Sequence, residues 1–493
     1  MQVVNPVVGL TILILVGAFV GVWAVLSNKL RSRHQVGNTA TRKEQFFTAS
    51  RLSSAPRSGL AVAANWIWAP ALFVAAQQGY ENGWVGVFWF TVPNVACLLL
   101  FSVFIHKARQ RYPDGFTLSA LVGEQYSPRV QRVYLVTLTG LATCAFAVQL
   151  LAGGLVVSTL TGLNFTIITV ILSIVALSYS ARLGMTAALS TKILNMGLIG
   201  LLGVGMSLAV VFVAGGDVVV AGLTGANGDM HSLTSGAGAG VFWAFGLSTT
   251  IGLMSGPFGD QSFWQIGWST KAEDTRKAFI IGACVFALVP LAMSTLGFVA
   301  AASDLTVTDP QLTNLTSVLH YLPAWFAIPF LVYVLAGLIS TLDSQLCSIS
   351  SLVGHDFGTR YRLTERAQLR IARIAMIVLA VVALGIANIP GLQVVMLFIF
   401  YGTLRATTLI PTMMAVVRDR DRLNERGAFY GIITALVVGL PLSAVGNLGG
   451  ITPLIVTASL TVIAVPAMAL LVTPRSPSAP ATTGERTTAT VKE

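Results

Sequence analysis

Long apolar runs, separated by short polar stretches, fill most of the chain. A run of about 20 apolar residues is long enough to cross a bilayer as a helix. Thirteen such segments can be counted, at 7–27, 59–79, 84–105, 133–157, 160–178, 184–213, 241–268, 277–301, 326–353, 372–388, 393–417, 428–446 and 451–473. The pattern predicts an all-α polytopic membrane protein with about 13 transmembrane helices. It also predicts one transmembrane domain over 1–473 and a disordered polar tail over 474–493.

Composition and charge agree with this class and set the orientation. Of the 493 residues 55% are hydrophobic and 10% are charged, whereas soluble domains carry about 25% charged residues. If the N-terminus lies outside, 29 of the 30 lysines and arginines fall in cytoplasmic stretches, and the exception is Arg405 in the eleventh segment. Cytoplasmic loops carry the Lys/Arg excess, so we expect an external N-terminus and a cytoplasmic C-terminus. The net charge of +11 therefore indicates a multi-pass protein of the plasma membrane rather than a nucleic-acid partner.

The ninth segment contains an unusual polar stretch, "GLISTLDSQLCSISS". A carboxylate at membrane depth, here Asp343, costs about 2.5–3.5 kcal/mol on insertion scales. Small and hydroxyl residues recur on one face of this helix, at Gly337, Ser340, Thr341, Ser344, Ser348 and Ser351. The last two serines are typical of close helix packing. The adjacent hydroxyls of Ser340 and Thr341, with the carbonyl of Gly337, instead suit a hard cation such as sodium.

Two other segments are interrupted near their middles. Pro70 interrupts the second segment in "AANWIWAPALF", and "LMSGPFGDQSFWQ" interrupts the seventh with two glycines and a proline. Either could be an ordinary proline kink. Each, however, opens a set of five segments, and an odd number gives the two sets opposite orientations. The sequence therefore predicts an inverted five-plus-five repeat, with core repeats over about 59–213 and 241–417, and binding sites at the two breaks.

Four ordered stretches resemble the sodium:solute symporter family. "AGLISTLDSQLCSISSLVGHD" is similar to the eighth core helix of that family, and "EQFFTASRLSSAPRSGLAVAAN" to the stretch before its first core helix. "RYPDGFTLSALVGEQYS" is similar to the loop between its second and third core helices, and "DQSFWQ" to its sixth. The resemblance covers about residues 44–417 and implies a leucine-transporter-type fold. It also implies a sodium site made by the carbonyls of Ala63, Trp66 and Gly337 and the hydroxyls of Ser340 and Thr341.

Within that family, "NWIWAPALF", "GVFWF" and "DQSFWQ" look most like the urea/polyamine active-transporter branch. Aromatic faces with a few amide or carboxylate groups suit a small planar polar solute, or a cationic amine through cation–π attraction. The residues expected to line the solute pocket are Asn65, Trp66, Trp68, Trp89, Phe90, Asp260, Gln261, Phe263 and Trp264. Asp260 could accept N–H donors from urea, neutralise an amine, or pair with Arg405. An unpaired Arg405 would instead favour an anionic solute.

Lys192 departs from the family pattern. Some members hold a second sodium with an aspartate early in the fifth core helix, and "LSTKILN" places Lys192 there. At about 1.5 Å per residue, Lys192 lies about 12 Å deep and Asp343 about 15 Å deep, so the two could pair. Our hypothesis is that this ammonium replaces the extra sodium. The alternatives are that Lys192 extends to the membrane surface, or that it loses its proton and couples transport to protons.

The sequence thus predicts a sodium-coupled symporter that imports a small polar organic solute by alternating access, with urea as the leading candidate. The first alternative is a proton-coupled symporter of a polyamine, an amino acid or a carboxylate. A passive channel is a further alternative, although it would require a continuous polar lining. No H-E-x-x-H, G-x-S-x-G or P-loop pattern occurs, so an enzyme is not expected. The sequence does not indicate the oligomeric state.

Overall fold

The computed structural model describes residues 4–34, 41–303 and 305–473. The predicted tail over 474–493 lies outside these residues. Within the described chain, 12 helices are long and apolar enough to cross a membrane. One of them, Ala69–Arg111, has 43 residues, about twice the length that a bilayer requires. It contains the end of the second predicted segment and the whole of the third, which reconciles 12 helices with 13 predicted crossings.

The first repeat and the helix before it are built from eight helices. These are α1 (Pro6–His34), α2 (Arg42–Thr48), α3 (Ala55–Trp66), α4 (Ala69–Arg111), α5 (Leu118–Gln125), α6 (Pro128–Thr161), α7 (Phe165–Leu183) and α8 (Met185–Ala214). A short helix, α9 (Gly216–Ala221), leads to the second repeat. The short helices α2 and α5 lie in the predicted cytoplasmic loops.

The second repeat and the helices after it complete the chain. They are α10 (Gly236–Met254), α11 (Gly256–Gly259), α12 (Gln261–Ser269), α13 (Thr275–Ala301), α14 (Thr313–Tyr321), α15 (Ala324–Arg360), α16 (Glu365–Ala387), α17 (Val394–Ala406), α18 (Leu409–Val417), α19 (Glu425–Gly449) and α20 (Thr452–Val472). The polar ninth segment is α15, and its residues from Phe330 to Leu352 are almost all buried.

Both predicted helix breaks are present. Helix α3 ends at Trp66, Ile67 and Trp68 are not helical, and α4 begins at Ala69 with Pro70 in its first turn. Proline is tolerated there because the first N–H groups of a helix have no partner within it. At the second break, α10 ends at Met254, and the single turn of α11 is followed by extended backbone at Asp260.

Gly83 divides the long helix α4. Its backbone has φ 51° and ψ −149°, a conformation that L-residues with a side chain rarely adopt. A Cβ atom there would also lie 2.2 Å from the carbonyl oxygen of Leu223. Only glycine fits this turn, which separates the second predicted segment from the third.

A third break was not predicted. The eleventh segment was expected to run unbroken through 393–417, but α17 ends at Ala406 and α18 begins at Leu409. Pro411 has no N–H to offer the carbonyl of Thr407, and the hydroxyl of Tyr134 donates to the carbonyl of Thr408 at 3.1 Å. The break follows Arg405 directly and so lies beside the site described below.

Candidate functional site

The break between α3 and α4 frees main-chain carbonyl groups. The N–H of Ile67 makes the last helical bond, to the Ala63 carbonyl at 2.9 Å. The N–H of Ala69 turns instead to Oε1 of Gln149 at 3.0 Å, and Pro70 has no N–H at all. The carbonyls of Asn65 and Trp66 are therefore released from the helical ladder, buried and available to a ligand.

The hydroxyl stripe of α15 faces this break. The Ser340 hydroxyl donates to the Ala64 carbonyl at 3.2 Å, and the Thr341 hydroxyl donates to the Gly337 carbonyl at 3.4 Å. Both bonds are long, so little is lost if these oxygens turn to a cation. Neutral carbonyl and hydroxyl oxygens are the ligands that hard cations prefer. The residues at this point fit a sodium ion, which would be held by the five residues named from the sequence. Trp66 would offer a released carbonyl, whereas the Ala63 carbonyl, which accepts the N–H of Ile67, would use its second lone pair.

Lys192 is buried next to these oxygens. Its side chain is 1% exposed and that of Asp343 is 0% exposed, and Nζ lies 3.5 Å from Oδ1 of the aspartate. Nζ also donates to the Ser340 carbonyl at 2.9 Å, to Oδ1 of Asn65 at 3.2 Å and to the Ser344 hydroxyl. The ammonium therefore points into the protein rather than toward the membrane surface. Lys192, on α8, thus contacts both α15 and the break between α3 and α4.

The Asp343 carboxylate is held from its other side by neutral donors. Oδ2 accepts hydrogen bonds from the Thr191 hydroxyl at 2.6 Å and the Tyr179 hydroxyl at 3.2 Å. A buried charge is tolerated when it is both paired and hydrogen-bonded, and this carboxylate is both. Asp343 thus anchors Lys192 and is not itself turned toward the freed carbonyls.

Asp260 occupies the second break and has two roles. Its Oδ1 accepts from the N–H of Ser262 at 2.9 Å and so caps the first turn of α12. Its Oδ2 accepts from the Tyr401 hydroxyl at 2.9 Å and lies 3.8 Å from a guanidinium nitrogen of Arg405. Gln345 approaches the same oxygen at 3.5 Å. The carboxylate is therefore fixed in place and faces α17.

Arg405 lies among aromatic rings. Its guanidinium carbon is 3.6 Å from the ring centroid of Tyr401, 5.2 Å from Trp66 and 5.3 Å from Trp68. Within the described chain its Nε–H has no hydrogen-bond partner, nor do the indole N–H of Trp66 and the amide nitrogen of Gln149. Buried polar groups are normally paired, so these three unpaired donors beside the breaks are suited to a solute that carries an acceptor oxygen.

Several of the predicted pocket residues meet in this cluster. Trp68 packs against Tyr401, with ring centroids 5.2 Å apart, and Phe90 lies 6.3 Å from Phe398, which also contacts Trp68. The two breaks touch directly: the Asn65 amide donates to the Ser262 hydroxyl at 2.8 Å, and Trp66 packs edge-on against Phe263.

Three other predicted pocket residues contact different parts of the protein. Trp89 packs against Phe242. Trp264 donates its indole N–H to the Phe258 carbonyl at 3.1 Å, and Gln261 bonds the N–H of Leu118 at 2.9 Å and the Phe116 carbonyl at 3.1 Å. Gln261 and Trp264 are three residues apart on one face of α12.

That same face of α12 contacts the loops that are predicted to be cytoplasmic. Gln265 donates to the Phe47 carbonyl at 2.7 Å and Trp268 to the Tyr112 carbonyl at 3.1 Å. The Asp356 carboxylate at the end of α15 accepts from the hydroxyls of Thr117 and Ser119. The two loops whose sequences resemble the family are thus fastened across the ends of α12 and α15 that are predicted to be cytoplasmic.

Arg51 fastens the loop between α4 and α5. Its guanidinium donates to the carbonyls of Pro113, Asp114 and Gly115 at 3.3, 3.1 and 2.8 Å, and it lies 4.6 Å from the ring centroid of Phe116. Burial, followed by the like charge of Arg109, lowers the pKa of Arg51 to about 10. The guanidinium therefore remains charged near neutral pH.

Sequence reasoning missed Tyr401 and Gln149. Tyr401 lies one helical turn before Arg405 in "FYGTLRATT", so it shares a face with the arginine. Gln149 was an isolated amide in the fourth segment. Its spacing gave no reason to place it opposite Ala69, because that contact joins residues 80 positions apart.

The overall arrangement is similar to solved transporter structures. A Na⁺-coupled sialic acid symporter, solved in a substrate-bound outward-open state, superposes with a TM-score of 0.74 over 96% of this chain and 99% of that one, at 17% identity. Mhp1, a nucleobase-cation-symport-1 family transporter, superposes with a TM-score of 0.57 over 88% of this chain and 96% of that one. The predicted leucine-transporter-type fold is confirmed.

Sequence relatives are transporters as well. A probable urea active transporter 1 of Schizosaccharomyces pombe is 25% identical over 86% of this chain and 69% of its own length. The urea-proton symporter DUR3 of rice is 22% identical over 89% of this chain and 65% of its own length. The sodium/pantothenate symporter of Escherichia coli is 26% identical over 88% and 90%. The chain thus spans about two thirds of the length of the first two relatives.

Fold, breaks and relatives together define a solute symporter of the plasma membrane, not an enzyme. Residues 46–435 match the sodium:solute symporter family, and the chain belongs to that family. The resemblance predicted from the four motifs is confirmed.

Proposed function

We propose that this protein is a sodium-coupled symporter that imports a small, neutral, planar amide of the urea type. The observation that carries the proposal is the buried cluster of Asp260 and Arg405. The two charges lie 3.8 Å apart, so together they present an acceptor and a donor without net charge. A urea-type solute has N–H groups for the carboxylate and a carbonyl oxygen for the guanidinium.

The aromatic surroundings support the same solute class. Trp66, Trp68 and Tyr401 surround the guanidinium of Arg405, and flat rings suit a flat solute. The unpaired indole N–H of Trp66 and the amide of Gln149 offer further donors to a carbonyl oxygen. A carboxylate solute would have to displace Asp260 from Arg405, and an amine solute would have to displace Arg405 from Asp260. The urea transporters among the relatives agree with this choice.

Sodium coupling rests on the oxygen set between α3 and α15. The carbonyls of Ala63, Trp66 and Gly337 and the hydroxyls of Ser340 and Thr341 would hold the ion. Binding it would draw the broken helix toward α15, which links the ion to the solute cluster because Trp66 belongs to both. Lys192 would supply a permanent positive charge where some relatives hold a second sodium, leaving one coupling ion.

A second candidate is coupling to protons. The buried pair of Lys192 and Asp343 favours it, because a desolvated lysine beside a carboxylate can exchange its proton. The rice relative is named a urea-proton symporter, whereas the bacterial relative is named a sodium/pantothenate symporter. The two couplings make different predictions about which gradient drives uptake.

Uptake into proteoliposomes tests both parts of the proposal. A panel of urea, acetamide, a polyamine, pantothenate and a simple amino acid is offered under an inward sodium gradient at equal pH, and then under an inward proton gradient without sodium. We expect accumulation of urea or acetamide that collapses with the sodium gradient. Equilibration without accumulation would indicate a channel. Accumulation driven only by protons would reject the sodium coupling, and exclusive uptake of charged solutes would reject the assigned solute class.

A further inference from the structure

A groove with a strong positive charge lies where α6 and α19 begin and α20 ends. It has a volume of about 780 Å³. Three exposed arginines line it, Arg129 and Arg132 on α6 and Arg426 on α19, together with a single carboxylate, Glu425. In the part of the chain that the structure describes, no carboxylate oxygen lies within 4.0 Å of these three guanidiniums.

The start of both helices adds to this positive potential. The N-terminal turn of a helix carries a partial positive charge. One N–H group in each first turn is already capped, that of Val130 by Ser127 in α6 and that of Gly427 by Asn424 in α19. An anion in the groove would therefore be bound chiefly by the guanidiniums, which form forked hydrogen bonds with phosphate oxygens.

On both α6 and α19, the face that borders the groove is charged in the first turn and apolar in the turns that follow. On α19, Arg426 is followed three, four and seven residues later by Phe429, Tyr430 and Ile433, which all line the groove. Tyr430 is 60% exposed. Residues at these spacings share one helix face, so the charge lies at the end of an apolar strip.

Helix α6 repeats the arrangement. Arg129 is followed by Arg132 and Val133, and then by Val136, which is 72% exposed. At the far end of α20, Leu471 and Val472 are each 80% exposed, as expected for a surface that faces lipid. The groove thus combines a cationic end with apolar walls that continue along the membrane-facing surface.

We propose that this groove binds an anionic phospholipid, with the headgroup phosphate on Arg129, Arg132 and Arg426 and the acyl chains along Phe429, Ile433 and Val133. A soluble phosphate would use the arginines but not the apolar walls. Basic pockets between transmembrane helices are typical sites for anionic headgroups. The proposal does not depend on which solute or ion the protein transports.

Lipid titration of the purified full-length protein in neutral detergent tests the proposal. Binding is measured by native mass spectrometry and by the shift in melting temperature on addition of phosphatidylglycerol, phosphatidylcholine or inorganic phosphate. We expect phosphatidylglycerol to bind and to raise the melting temperature, and the other two to do neither. Each arginine replaced by glutamine should weaken binding roughly fivefold, so the variant R129Q/R132Q/R426Q should lose it by a factor on the order of 100.

Matched controls separate this site from general surface charge. The variant R276Q/R366Q/R370Q removes three exposed arginines near the first turns of α13 and α16 and should bind phosphatidylglycerol like the wild type. If the triple groove variant does not fold, the single variant Arg426→Gln provides the same comparison against Arg366→Gln. Equal binding of phosphatidylcholine and phosphatidylglycerol, equal stabilisation by inorganic phosphate, or unchanged binding in the groove variants would each overturn the proposal.

Discussion

The ammonium of Lys192 donates a hydrogen bond to the main-chain carbonyl of Ser340 at 2.9 Å. The hydroxyl of the same serine donates to the Ala64 carbonyl at 3.2 Å, at the break of α3. Ser340 therefore connects the buried Lys192 to the oxygens that we assign to sodium. The affinity of the break for a cation should therefore depend on whether Lys192 is present.

Replacing Lys192 by aspartate should add a coupling ion. The variant Lys192→Asp places a second carboxylate beside Asp343, and two adjacent buried carboxylates need either a cation between them or a shared proton. We expect uptake to require more sodium and to depend on it more steeply, with a second sodium entering for each solute. The measurement is the ratio of ²²Na⁺ to labelled solute taken up by proteoliposomes.

The control for this prediction is Lys192→Met, which removes the charge without adding a ligand. It leaves Asp343 unpaired, so we expect reduced stability and no extra sodium. A sodium-to-solute ratio in Lys192→Asp that equals that of the wild type would contradict the assigned role. Loss of proton-driven uptake in Lys192→Met, with sodium having no effect on either protein, would favour the proton-coupled alternative.

Removing the hydroxyls of Ser340 and Thr341 should weaken sodium binding. A hydrogen-bond partner of a charged group contributes about 1.5–3 kcal/mol, so each alanine variant should raise the sodium concentration for half-maximal uptake on the order of 10- to 100-fold. Ser348→Ala is the matched control, because this buried serine lies on the same helix and its hydroxyl has no hydrogen-bond partner in the described chain. Uptake by S340A/T341A with unchanged sodium dependence would disprove the sodium site.

Much of this architecture could be predicted because membrane helices need long apolar runs. Prolines, glycines and polar residues within such runs are easily recognised in the sequence. Pro70 and the Gly256–Gly259 turn interrupt two such runs, so both breaks were visible in the sequence. The break after Arg405 was not predicted, because Thr407 and Thr408 are tolerated in helices and Pro411 alone could be an ordinary kink. The bond from Tyr134 to the Thr408 carbonyl shows where the helix ends. Gln261 was assigned to the pocket by proximity in sequence, although its side chain bonds the loop between α4 and α5. Trp264 bonds the Phe258 carbonyl in the second break itself.

The Asp260–Arg405 pair should behave as a unit. Breaking a buried ion pair by removing one partner leaves an uncompensated charge and costs about 3–5 kcal/mol. We expect Asp260→Asn and Arg405→Gln each to lower the melting temperature and to abolish uptake. Asparagine can still accept from the N–H of Ser262 and cap α12, so Asp260→Asn tests the charge rather than the cap.

The double variant D260N/R405Q discriminates between two roles for this pair. Without either charge, we expect the melting temperature to recover toward that of the wild type while uptake remains absent, because the solute has lost both partners. Full recovery of uptake along with stability would show that the pair only balances charge, and the solute would then have to bind elsewhere.

Replacing Arg51 should open the cytoplasmic side. The variant Arg51→Gln cannot reach the three successive carbonyls of Pro113, Asp114 and Gly115, and the loop that covers the ends of α12 and α15 should detach more often. Cys347 is buried in α15, one turn beyond Asp343, and it should become accessible. In a protein that retains only this cysteine, we expect faster labelling by a maleimide applied from the cytoplasmic side.

The control is Arg111→Gln, since Arg111 also binds carbonyls at this end of the molecule, but those of Val416 and Arg418. It should leave the labelling rate of Cys347 unchanged. The pKa of Arg51 is lowered to about 10, so both the closed and the open form keep this group protonated below about pH 9. Labelling of the wild-type protein should therefore show no pH dependence from Arg51 between about pH 6 and about pH 9. Equal labelling of the Arg51 and Arg111 variants would show that this loop does not close the cytoplasmic entrance.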